Sequence, residues 1–421
     1  MTEINLSVKI ETMLNVKTSP EVYEIIKKEF SGIDTGNETV DIRDSSGRIL
    51  AEDICSGEDI PSFNRSTVDG YAVISSNTFG ASETSPALLK LSGSIKMGER
   101  PGTPLNDSCT FYIPTGAELP VNADSVVMIE YTEDFNDGFI QIEKASSPGN
   151  NVIYRADDVK KGETVLKAGQ KLRTQDIGVL AALGHKDVTV KRKINVGILS
   201  TGNEIVEIEK QTSGAQIRDV NAYLIYSGLV DYGANPRIYG IVPDDFELLK
   251  KAAEEMVKEN DIILISGGSS AGAKDETINA IGALDNSEIF VHGIAVKPGK
   301  PTIIARTGNK PVIGLPGHPA SCFFIFKTFV LNILDTINGI TDTFLTKKTV
   351  RAFLTLNIPS NHGREEYIPV KLKPEDGEIK AVPVFSKSGL IRLLSGSDGF
   401  IIIDRECEGL PEGTEVTVYI F

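Results

Sequence analysis

The spacing of hydrophobic and polar positions changes several times along the chain. Ser19 and Pro20 stand in the order of an N-cap and a first helical residue before the helical pattern EVYEIIKKEF. TVDIRDSSGRILAEDI then predicts a strand, a turn and a strand, and from about Ile60 to Ile142 short β-type runs alternate with Gly, Pro and Asn. A helix is predicted again over Thr174 to Gly184, with Thr174 as cap and Gly184 as terminator.

A different pattern begins at Lys193. The apolar runs INVGILS, RIYGIV, DIILIS, IFVHGIAV and PVIGLP alternate with amphipathic stretches, among them Asn221 to Tyr232 and Asp245 to Lys258. Strands separated by helices predict βαβ units and a mostly parallel sheet that is covered on both faces. After about Thr346 the helical pattern stops, and runs such as RAFLTLNIP and EVTVYIF predict a small β-barrel or sandwich.

These changes predict a multidomain α/β and β protein. A chain of 421 residues is too long for one hydrophobic core, since domains average about 100–200 residues. The predicted units are a mixed N-terminal domain (1–59 with 146–192), an inserted β-rich domain (60–145), a three-layer α/β/α domain (193–340) and a C-terminal β-barrel (346–421).

Composition excludes several classes of protein. The net charge of −15 argues against a nucleic-acid or anionic-membrane partner held by bulk electrostatics. The four cysteines, Cys55, Cys109, Cys322 and Cys407, are widely separated, so neither a zinc site nor a disulfide framework is indicated. MTEINLSVKIETML has no apolar core of signal-peptide length, and the apolar run Ala320 to Leu334 is too short to span a bilayer. We therefore expect a cytoplasmic protein in which that run is a buried helix.

Four loops that could carry chemistry follow predicted strands of the α/β domain. They are STGNE from Ser200 to Glu204, SGGSSAGAKDE from Ser266 to Glu276, KPGKP from Lys297 to Pro301, and PGHP from Pro316 to Pro319. Ligands of open α/β sheets bind beyond the carboxyl ends of the strands. We expect these loops, rich in Gly, Pro or hydroxyl residues, to converge at one edge of the sheet.

Each loop also has a structural explanation. SGGSS could surround phosphate oxygens with N–H groups and hydroxyls, but it lacks the GxxxxGK[ST] and GxGxxG patterns, and Gly and Ser are common in ordinary turns. Lys297 and Lys300 could meet an anionic ligand or belong to a solvated surface turn. Asp219 could simply cap the helix that begins near Asn221.

Acidic residues accompany the same loops. If Glu204, Asp219 and Asp275 converge near phosphates, they would bind Mg²⁺, which prefers oxygen ligands. No Ser/His/Asp or Cys/His arrangement is indicated. The β-type segments Ile60 to Val73 and Tyr112 to Val127 are rich in Ser, Asp and Thr, which could supply further ligand contacts.

As an ordered set, the motifs resemble those of a known family. PSFNRSTVDGYAV, IPTGAELPVNADSVVMIE, NVIYRADDVKKGETVLKAGQKL, VGILSTGNEIV, GAQIRDVNAYLI, SGGSSAGAKDE, AVKPGKPT, GLPGHPAS and SGLIRLLSGSDGFIII are similar to motifs of the molybdopterin molybdenumtransferase family, MoeA and the gephyrin E domain. The resemblance covers nearly the whole chain from about Ser19. It implies a central domain of the MoeA/MogA type in an elongated homodimer, with an active site between the α/β domain of one subunit and the β segments of the other.

The resemblance also implies an activity. The family cleaves adenylylated molybdopterin, places molybdate on the dithiolene and releases AMP with the help of Mg²⁺; tungstate is an alternative metal substrate. The adenylyltransferase and molybdoenzyme apoproteins are further partners that the resemblance makes possible. Two other functions remain open: a molybdopterin adenylyltransferase, and a non-catalytic scaffold of the gephyrin type.

Matching the motifs residue by residue assigns roles. The implied catalytic residues are Asp69, Asp158, Glu204, Asp275, Lys297 and Lys300. The implied metal ligands are Glu204, Asp219 and Asp275. The implied substrate-binding residues are Thr115, Arg155, Ser200, Thr201, Gly202, Gly267, Gly268, Ser269, Ser270, Pro316, Gly317 and Pro319. The chain departs from the family pattern at Asn203, at His318 and in the SSAG segment of the glycine-rich loop.

Overall fold

The structure, a computed structural model, describes residues 16–267, 276–340, 348–385 and 392–421. Within the described residues, the N-terminal part of the chain combines two α-helices with several groups of strands. Its elements are α1 Ser19–Phe30, β1 Asn37–Asp41, β2 Ile54–Cys55, β3 Arg65–Ser66, β4 Gly70–Val73, β5 Ala87–Ser94, β6 Cys109–Ile113, β7 Ser125–Met128, β8 Thr132–Asp134, β9 Phe139–Ile142, β10 Val152–Ile153, β11 Thr164–Leu166, α2 Thr174–Ala182 and β12 Asp187–Lys191.

Both N-terminal helices begin one residue before the predicted position. The N-cap of α1 is Thr18, whose backbone N–H and hydroxyl donate to the Glu21 carboxylate at 2.7 and 2.8 Å. Ser19 is therefore a helical residue and not the cap. In the same way Arg173 is the N-cap of α2, and its backbone N–H donates to the Asp176 carboxylate at 2.8 Å, so the prediction of Thr174 as cap was wrong.

The strands between these helices form one large sheet and several short pairs. Strands β7, β4, β6, β5, β9 and β8 lie in that order in a six-stranded sheet. Strand β1 does not pair with the segment that follows it. It pairs in antiparallel fashion with β12, and this pairing joins the chain before the six-stranded sheet to the chain after it.

The next part of the chain alternates strands and helices as the pattern predicts. Its elements are β13 Asn195–Thr201, β14 Ile205–Val206, β15 Ile217–Arg218, α3 Asn221–Tyr232, β16 Asn235–Val242, α4 Phe246–Glu259, β17 Ile262–Ser266, α5 Glu276–Gly282, β18 Ser287–His292, β19 Val296–Lys297, β20 Ile303–Thr307, β21 Lys310–Leu315, α6 Pro319–Ile325, a π-helical turn Phe326–Val330 and α7 Leu331–Ile337.

The central sheet has the order β16, β13, β17, β21, β20, β18. The first four strands are parallel, β20 is antiparallel to β21, and β18 is antiparallel to β20. Strand β18 therefore runs in the same direction as the parallel strands. The loop after it, which carries Lys297 and Lys300, lies at the same edge of the sheet as the loops after β13, β17 and β21.

Apolar side chains cover both faces of the sheet, which confirms the three-layer arrangement. Ile198 and Leu264 pack with Ile225 of α3 on one face. Ile265 packs with Met256 of α4 on the other. Burying two faces requires strands that are almost entirely hydrophobic, as the run DIILIS is.

The helix from Pro319 to Ile337 is long and apolar enough to cross a membrane by length and composition, but most of it is buried inside the protein. It packs against α3, where Gly228 leaves room for the Phe326 ring. A Cβ at Gly228 would lie 2.4 Å from that ring. This packing explains the apolar run as a core helix, as predicted.

The C-terminal part is a small closed β-barrel. Its elements are β22 Thr349–Leu354, β23 Ile358–Pro359, β24 Glu365–Glu375, β25 Glu378–Pro383, α8 Arg392–Ser395, β26 Gly399–Ile403, β27 Gly409–Leu410 and β28 Glu415–Ile420. Strands β24, β25, β22, β28 and β26 follow one another, and a pairing of β24 with β26 closes the ring. Strand β19 joins β24 in parallel, so the barrel is attached directly to the α/β part.

Candidate functional site

A cleft of about 710 Å³ opens where the loops after β13, β17 and β21 meet. Pro301 also lines it, so all four loops singled out in the sequence contribute to one cleft. The predicted site residues among its lining are Thr201, Gly202, Glu204, Asp219, Gly267, Pro316, Gly317 and Pro319.

Glycine allows the loop backbones to approach one another closely. Gly267 has a φ of +110°, and a Cβ there would lie 2.0 Å from the carbonyl oxygen of Thr201. A Cβ at Gly317 would lie 3.7 Å from the Cα of Gly267. The loops after three neighbouring strands therefore begin in mutual contact. Gly268, Ser269, Ser270 and Asp275 lie outside the described residues, so their phosphate and metal roles stay predictions.

The short parallel pair β14 and β15 brings two acidic residues to the cleft. Glu204 precedes β14 and its carbonyl accepts from the Ile217 N–H at 2.9 Å, while the Asp219 N–H after β15 donates to the Val206 carbonyl at 2.9 Å. Glu204 is exposed, whereas Asp219 is only 5% exposed. Oδ1 of Asp219 accepts from the Ala222 N–H at 3.1 Å, so capping occupies one of its two oxygens.

These two side chains fit the chemistry of Mg²⁺, which binds carboxylate oxygens and retains waters or substrate phosphates as further ligands. The third predicted ligand, Asp275, lies outside the described residues. Within the described ranges, no three His, Cys, Asp or Glu side chains gather closely enough to hold a metal ion. Of the three predicted ligands, Glu204 and Asp219 are the two that the described part of the cleft contains, so further ligands would come from substrate and water.

The floor of the cleft contains polar residues that the sequence analysis missed or assigned only by resemblance. The side-chain amide of Asn221 donates to Ser266 Oγ and to the Gly317 carbonyl, both at 2.8 Å. Ser200, a predicted substrate-binding residue, is not among the residues that line the cleft: it lies within β13, is 1% exposed, and its Oγ has no hydrogen-bond partner within the described chain. The sequence did offer one signal that Asn221 lies at the cleft: it is the first residue of the predicted helix α3 and follows the end of a short strand.

Cys322 lies beneath this floor and is fully buried. Burial raises the pKa of its thiol to about 12, the Asp219 charge adds to that rise, and a hydrogen bond with Ser266 opposes it. Only the thiolate is a strong nucleophile and metal ligand. Cys322 therefore acts as a small apolar side chain in the core at neutral pH.

A third carboxylate of the cleft, Asp244, was also missed. It follows β16 and accepts from the Thr201 hydroxyl at 2.7 Å. Asn203, one of the departures from the family pattern, accepts from the Asp244 N–H at 3.3 Å. The rule that ligand groups follow parallel strands applies to β16 as well, and would have identified Asp244.

His318, the other single-residue departure, also lines the cleft. It is the N-cap residue of α6, and its carbonyl accepts from the Cys322 N–H at 2.9 Å. Its imidazole makes no cap hydrogen bond. His318 is therefore an exposed residue of the cleft wall whose side chain does not cap α6.

The two lysines of the fourth loop have different surroundings. Lys297 Nζ lies 2.8 Å from Oε1 of Glu366 in the barrel, and both residues line a separate pocket of about 500 Å³. Lys300 is exposed next to Pro301, which lines the main cleft. Lys300 therefore directly precedes a residue of the cleft wall. Lys297 forms part of the contact between the α/β part and the barrel.

The predicted site residues of the N-terminal part are absent from the lining of the main cleft. Asp69 and Thr115 contact each other: Oδ1 of Asp69 accepts from the Thr115 N–H at 2.7 Å and from its hydroxyl at 2.9 Å. Both bonds lower the pKa of Asp69, and the backbone N–H of Thr115 makes the larger contribution. The carboxylate is exposed and remains ionised at neutral pH.

Arg155 and Asp158 lie on an exposed turn of the same part of the chain. Arg155 Nε donates to Asp59 Oδ2 at 2.7 Å, and the backbone N–H of Arg155 donates to Asn64 Oδ1 at 2.9 Å. The backbone N–H of Asp158 donates to the Ile60 carbonyl. These contacts orient the turn, while the Asp158 carboxylate faces solvent.

Three protein-family models match consecutive parts of the chain. They describe the MoeA N-terminal region, domains I and II, over residues 17–184, a probable molybdopterin binding domain over 197–336, and the MoeA C-terminal region, domain IV, over 351–421. A Methanocaldococcus jannaschii protein whose name connects it with molybdopterin biosynthesis is 35% identical, covering 98% of this chain and 99% of the relative. The molybdopterin molybdenumtransferase of Bacillus subtilis is 29% identical over 97% of this chain and 95% of its own.

Solved structures give the same result over the whole length. A crystal structure of the molybdopterin biosynthesis MoeA protein from Pyrococcus horikoshii aligns with a TM-score of 0.80 and 38% identity, covering 96% of this chain and 99% of the other. A second structure of a MoeA protein from this organism aligns with a TM-score of 0.83 and 30% identity, covering 96% and 100%. By sequence, by domain order and by fold, this chain belongs to the MoeA family.

Proposed function

We propose that this protein is a molybdopterin molybdenumtransferase that acts in molybdenum cofactor biosynthesis. It would cleave adenylylated molybdopterin, transfer molybdate to the dithiolene and release AMP in a Mg²⁺-dependent reaction. The observation that carries the proposal is that Glu204 and Asp219 line one cleft with the loops after three parallel strands. The relative from Bacillus subtilis, which matches along nearly the whole chain, is named a molybdopterin molybdenumtransferase, and this name supports the transferase part of the proposal.

The charges of the cleft support the requirement for a cation. Glu204, Asp219 and Asp244 all line it, whereas Arg218 is the one Lys or Arg residue among the lining residues described. Nε of Arg218 already donates to the Ile208 carbonyl at 2.8 Å. A phosphoanhydride would therefore meet mostly negative charge unless a divalent cation neutralised it. Mg²⁺, when bound by Glu204 and Asp219, would neutralise charge that develops on the phosphates.

Residues of the chain would bind and position the substrate. Lys300 would bind phosphate oxygens at the rim, since its ammonium is exposed next to a residue of the cleft wall. Cleavage of a phosphoanhydride depends on positioning and on electrostatic stabilisation, so this machinery does not require a covalent nucleophile.

The test is AMP release by the purified protein from adenylylated molybdopterin, with and without molybdate and Mg²⁺. Asp219→Asn and Glu204→Gln should each lower kcat by about 10²-fold or more, since each removes a charge from the proposed metal site. Glu255→Gln, an exposed carboxylate on α4, is the matched control and should leave the rate unchanged. Replacing molybdate by tungstate measures the choice of metal substrate.

Other outcomes of the same assay would refute the proposal. Formation of adenylylated molybdopterin from molybdopterin and ATP without a partner would identify an adenylyltransferase. Full activity of both carboxylate variants would contradict the proposed metal ligands. A wild-type protein with neither activity would favour a scaffold.

We also propose that the active protein is a homodimer. Helix α3 exposes Tyr223, Tyr226 and Val230 at 42%, 41% and 51%, while Ile225 and Leu229 fill the core on its other side. The stripe begins near the cleft, because the first residue of α3, Asn221, lines it. Asp69 and Arg155 are absent from the cleft lining of their own chain, so a second copy seated on this stripe could supply them.

Mixing two inactive variants tests this arrangement. Asp69→Asn and Asp219→Asn would each be inactive alone, and co-refolded or co-expressed chains should recover about a quarter to a half of wild-type activity if sites are shared between subunits. Sedimentation of the wild type should give twice the chain mass, and Tyr226→Glu should shift it toward the monomer. A monomeric, fully active wild type would contradict the dimer.

A further inference from the structure

Asn221 joins three separate segments beneath the cleft. It is the first residue of α3 and is 7% exposed. Its Nδ2 atom lies 2.8 Å from Ser266 Oγ at the end of β17 and 2.8 Å from the carbonyl oxygen of Gly317 in the loop after β21. A third acceptor, the Pro316 carbonyl, lies at 3.5 Å. One side chain thus connects a helix terminus with the ends of two neighbouring strands.

The surroundings determine the orientation of this amide. A backbone carbonyl can only accept a hydrogen bond, so the NH₂ group and not the oxygen must face Gly317 and Pro316. The opposite atom, Oδ1, is buried and has no hydrogen-bond partner within the described chain. The contribution of Asn221 to this region therefore comes from its two donors.

What the amide holds in place is backbone of the cleft itself. Gly317 lies against Gly267, and Gly267 lies against the Thr201 carbonyl closely enough to exclude a Cβ. All three of these residues line the cleft. Movement of the Gly317 carbonyl would therefore displace the backbone of Gly267 and Thr201 in the wall of the cleft.

We propose that Asn221 is a positioning residue for the reaction of this cleft. Asn221 itself lines the cleft, and the role we assign to it is indirect, through the loops after β17 and β21 that its amide holds. The proposal rests on the proposed molybdenumtransferase function for its kinetic consequences, but its structural consequence, a held loop, is independent of any substrate. A displacement of about 1 Å in such loops can lower a rate by about 10²-fold.

The kinetic test compares Asn221→Leu, which has similar size and no donor, with Asn221→Ala. Both should lower kcat for molybdate-dependent AMP release by about 10²-fold while KM changes less than about threefold. Ser266→Ala removes one of the two short bonds and should give a smaller loss. The double variant Asn221→Leu, Ser266→Ala should be no worse than Asn221→Leu alone, because both changes break the same contact.

Asn235→Leu is the matched control. Asn235 also donates its amide within this part of the chain, to Asn195 Oδ1 at 2.7 Å, but it is exposed at the opposite end of the sheet. Its replacement should leave kcat and KM unchanged. Circular dichroism spectra and Tm values identify any variant that fails to fold, and Ser266→Ala then provides the milder test of the same contact.

Hydrogen exchange separates this proposal from the proposed function. In Asn221→Leu without substrate, the backbone amides of residues 315–322 should exchange at least about tenfold faster than in wild type, while those of β16 should not change. Exchange and kcat that both equal wild type would overturn the proposal. If wild type itself released no AMP, the molybdenumtransferase function would fail, and faster exchange in this loop would still decide whether Asn221 holds it.

Discussion

Lys297 Nζ and Glu366 Oε1 lie 2.8 Å apart and link the α/β part of the chain to the β-barrel. The two residues are also paired across β19 and β24, which run in parallel. The Glu366 side chain is 4% exposed and the Lys297 side chain is 50% exposed. Because only the carboxylate is buried, removing Lys297 and removing Glu366 should change the free energy of unfolding by different amounts.

Lys297→Met should destabilise the protein more than Glu366→Gln does. The first change leaves a buried carboxylate without its counter-charge, at a cost of about 3 kcal/mol. The second leaves an ammonium that is already half in water, at a cost of about 1 kcal/mol or less. Differential scanning calorimetry measures both changes, with Lys96→Met at an exposed position as control. Equal Tm values for the two variants would contradict the asymmetry.

Gly267→Ala should disrupt the cleft. Its Cβ would lie 2.0 Å from the Thr201 carbonyl oxygen, so the expected loss of stability is about 4 kcal/mol or more, together with loss of activity. Gly308→Ala is the matched control, since Gly308 also has a positive φ but its Cβ would meet open space. That variant should lose only about 1–2 kcal/mol, from backbone conformation alone. Similar Tm shifts for the two variants would refute the close approach.

Thr115→Val should raise the pKa of Asp69 part of the way toward its ordinary value. The larger cause of the lowered pKa, the Thr115 backbone N–H, remains, whereas the hydroxyl bond is lost. A lowered folded-state pKa stabilises the protein above the unfolded pKa of about 3.9, and this contribution is lost as the pH falls through the folded pKa. Carboxyl NMR titration measures the change. Thr132→Val, whose hydroxyl bonds the Ile129 carbonyl, should leave the Asp69 titration as in wild type.

Tyr232→Phe should destabilise the end of α3. The Tyr232 hydroxyl donates to Asp335 Oδ1 at 3.0 Å and accepts from Asn338 Nδ2 at 3.0 Å. Burial, with the Asp335 charge, raises the pKa of Tyr232 well above its usual value, so the neutral phenol is present at all physiological pH values. Loss of two buried bonds should cost about 1–3 kcal/mol by thermal unfolding. Tyr131→Phe, at a tyrosine that is 38% exposed and lies outside this helix, should have no effect.

Much of the fold could be predicted from hydrophobic spacing. Parallel strands buried on both faces appear as continuous apolar runs, and the βα alternation after Lys193 identified the three-layer part. The cap of α1 was misplaced by one residue because Thr18 and Ser19 offer two hydroxyls in a row. The Thr18 to Glu21 spacing of a capping box would have resolved this choice.

The candidate site was predictable in its location and less so in its membership. Strand ends in a parallel sheet identified the loops that meet at the cleft, including Glu204 and Asp219. Asp244 obeys the same rule and was overlooked. No local pattern indicated that Lys297 would pair with a glutamate 69 positions away.

The sequence by itself determined the periodic elements, the order of the domains and the loops that end at one sheet edge, because these depend on neighbours a few residues apart. Tertiary structure alone decided which side chains meet. It placed Asn221 against Ser266 and Gly317, Lys297 against Glu366, and Asp69 away from the cleft of its own chain. Such contacts form between segments that are distant in sequence. They are set by the close packing of side chains in the folded interior, which the order of residues along the chain does not show.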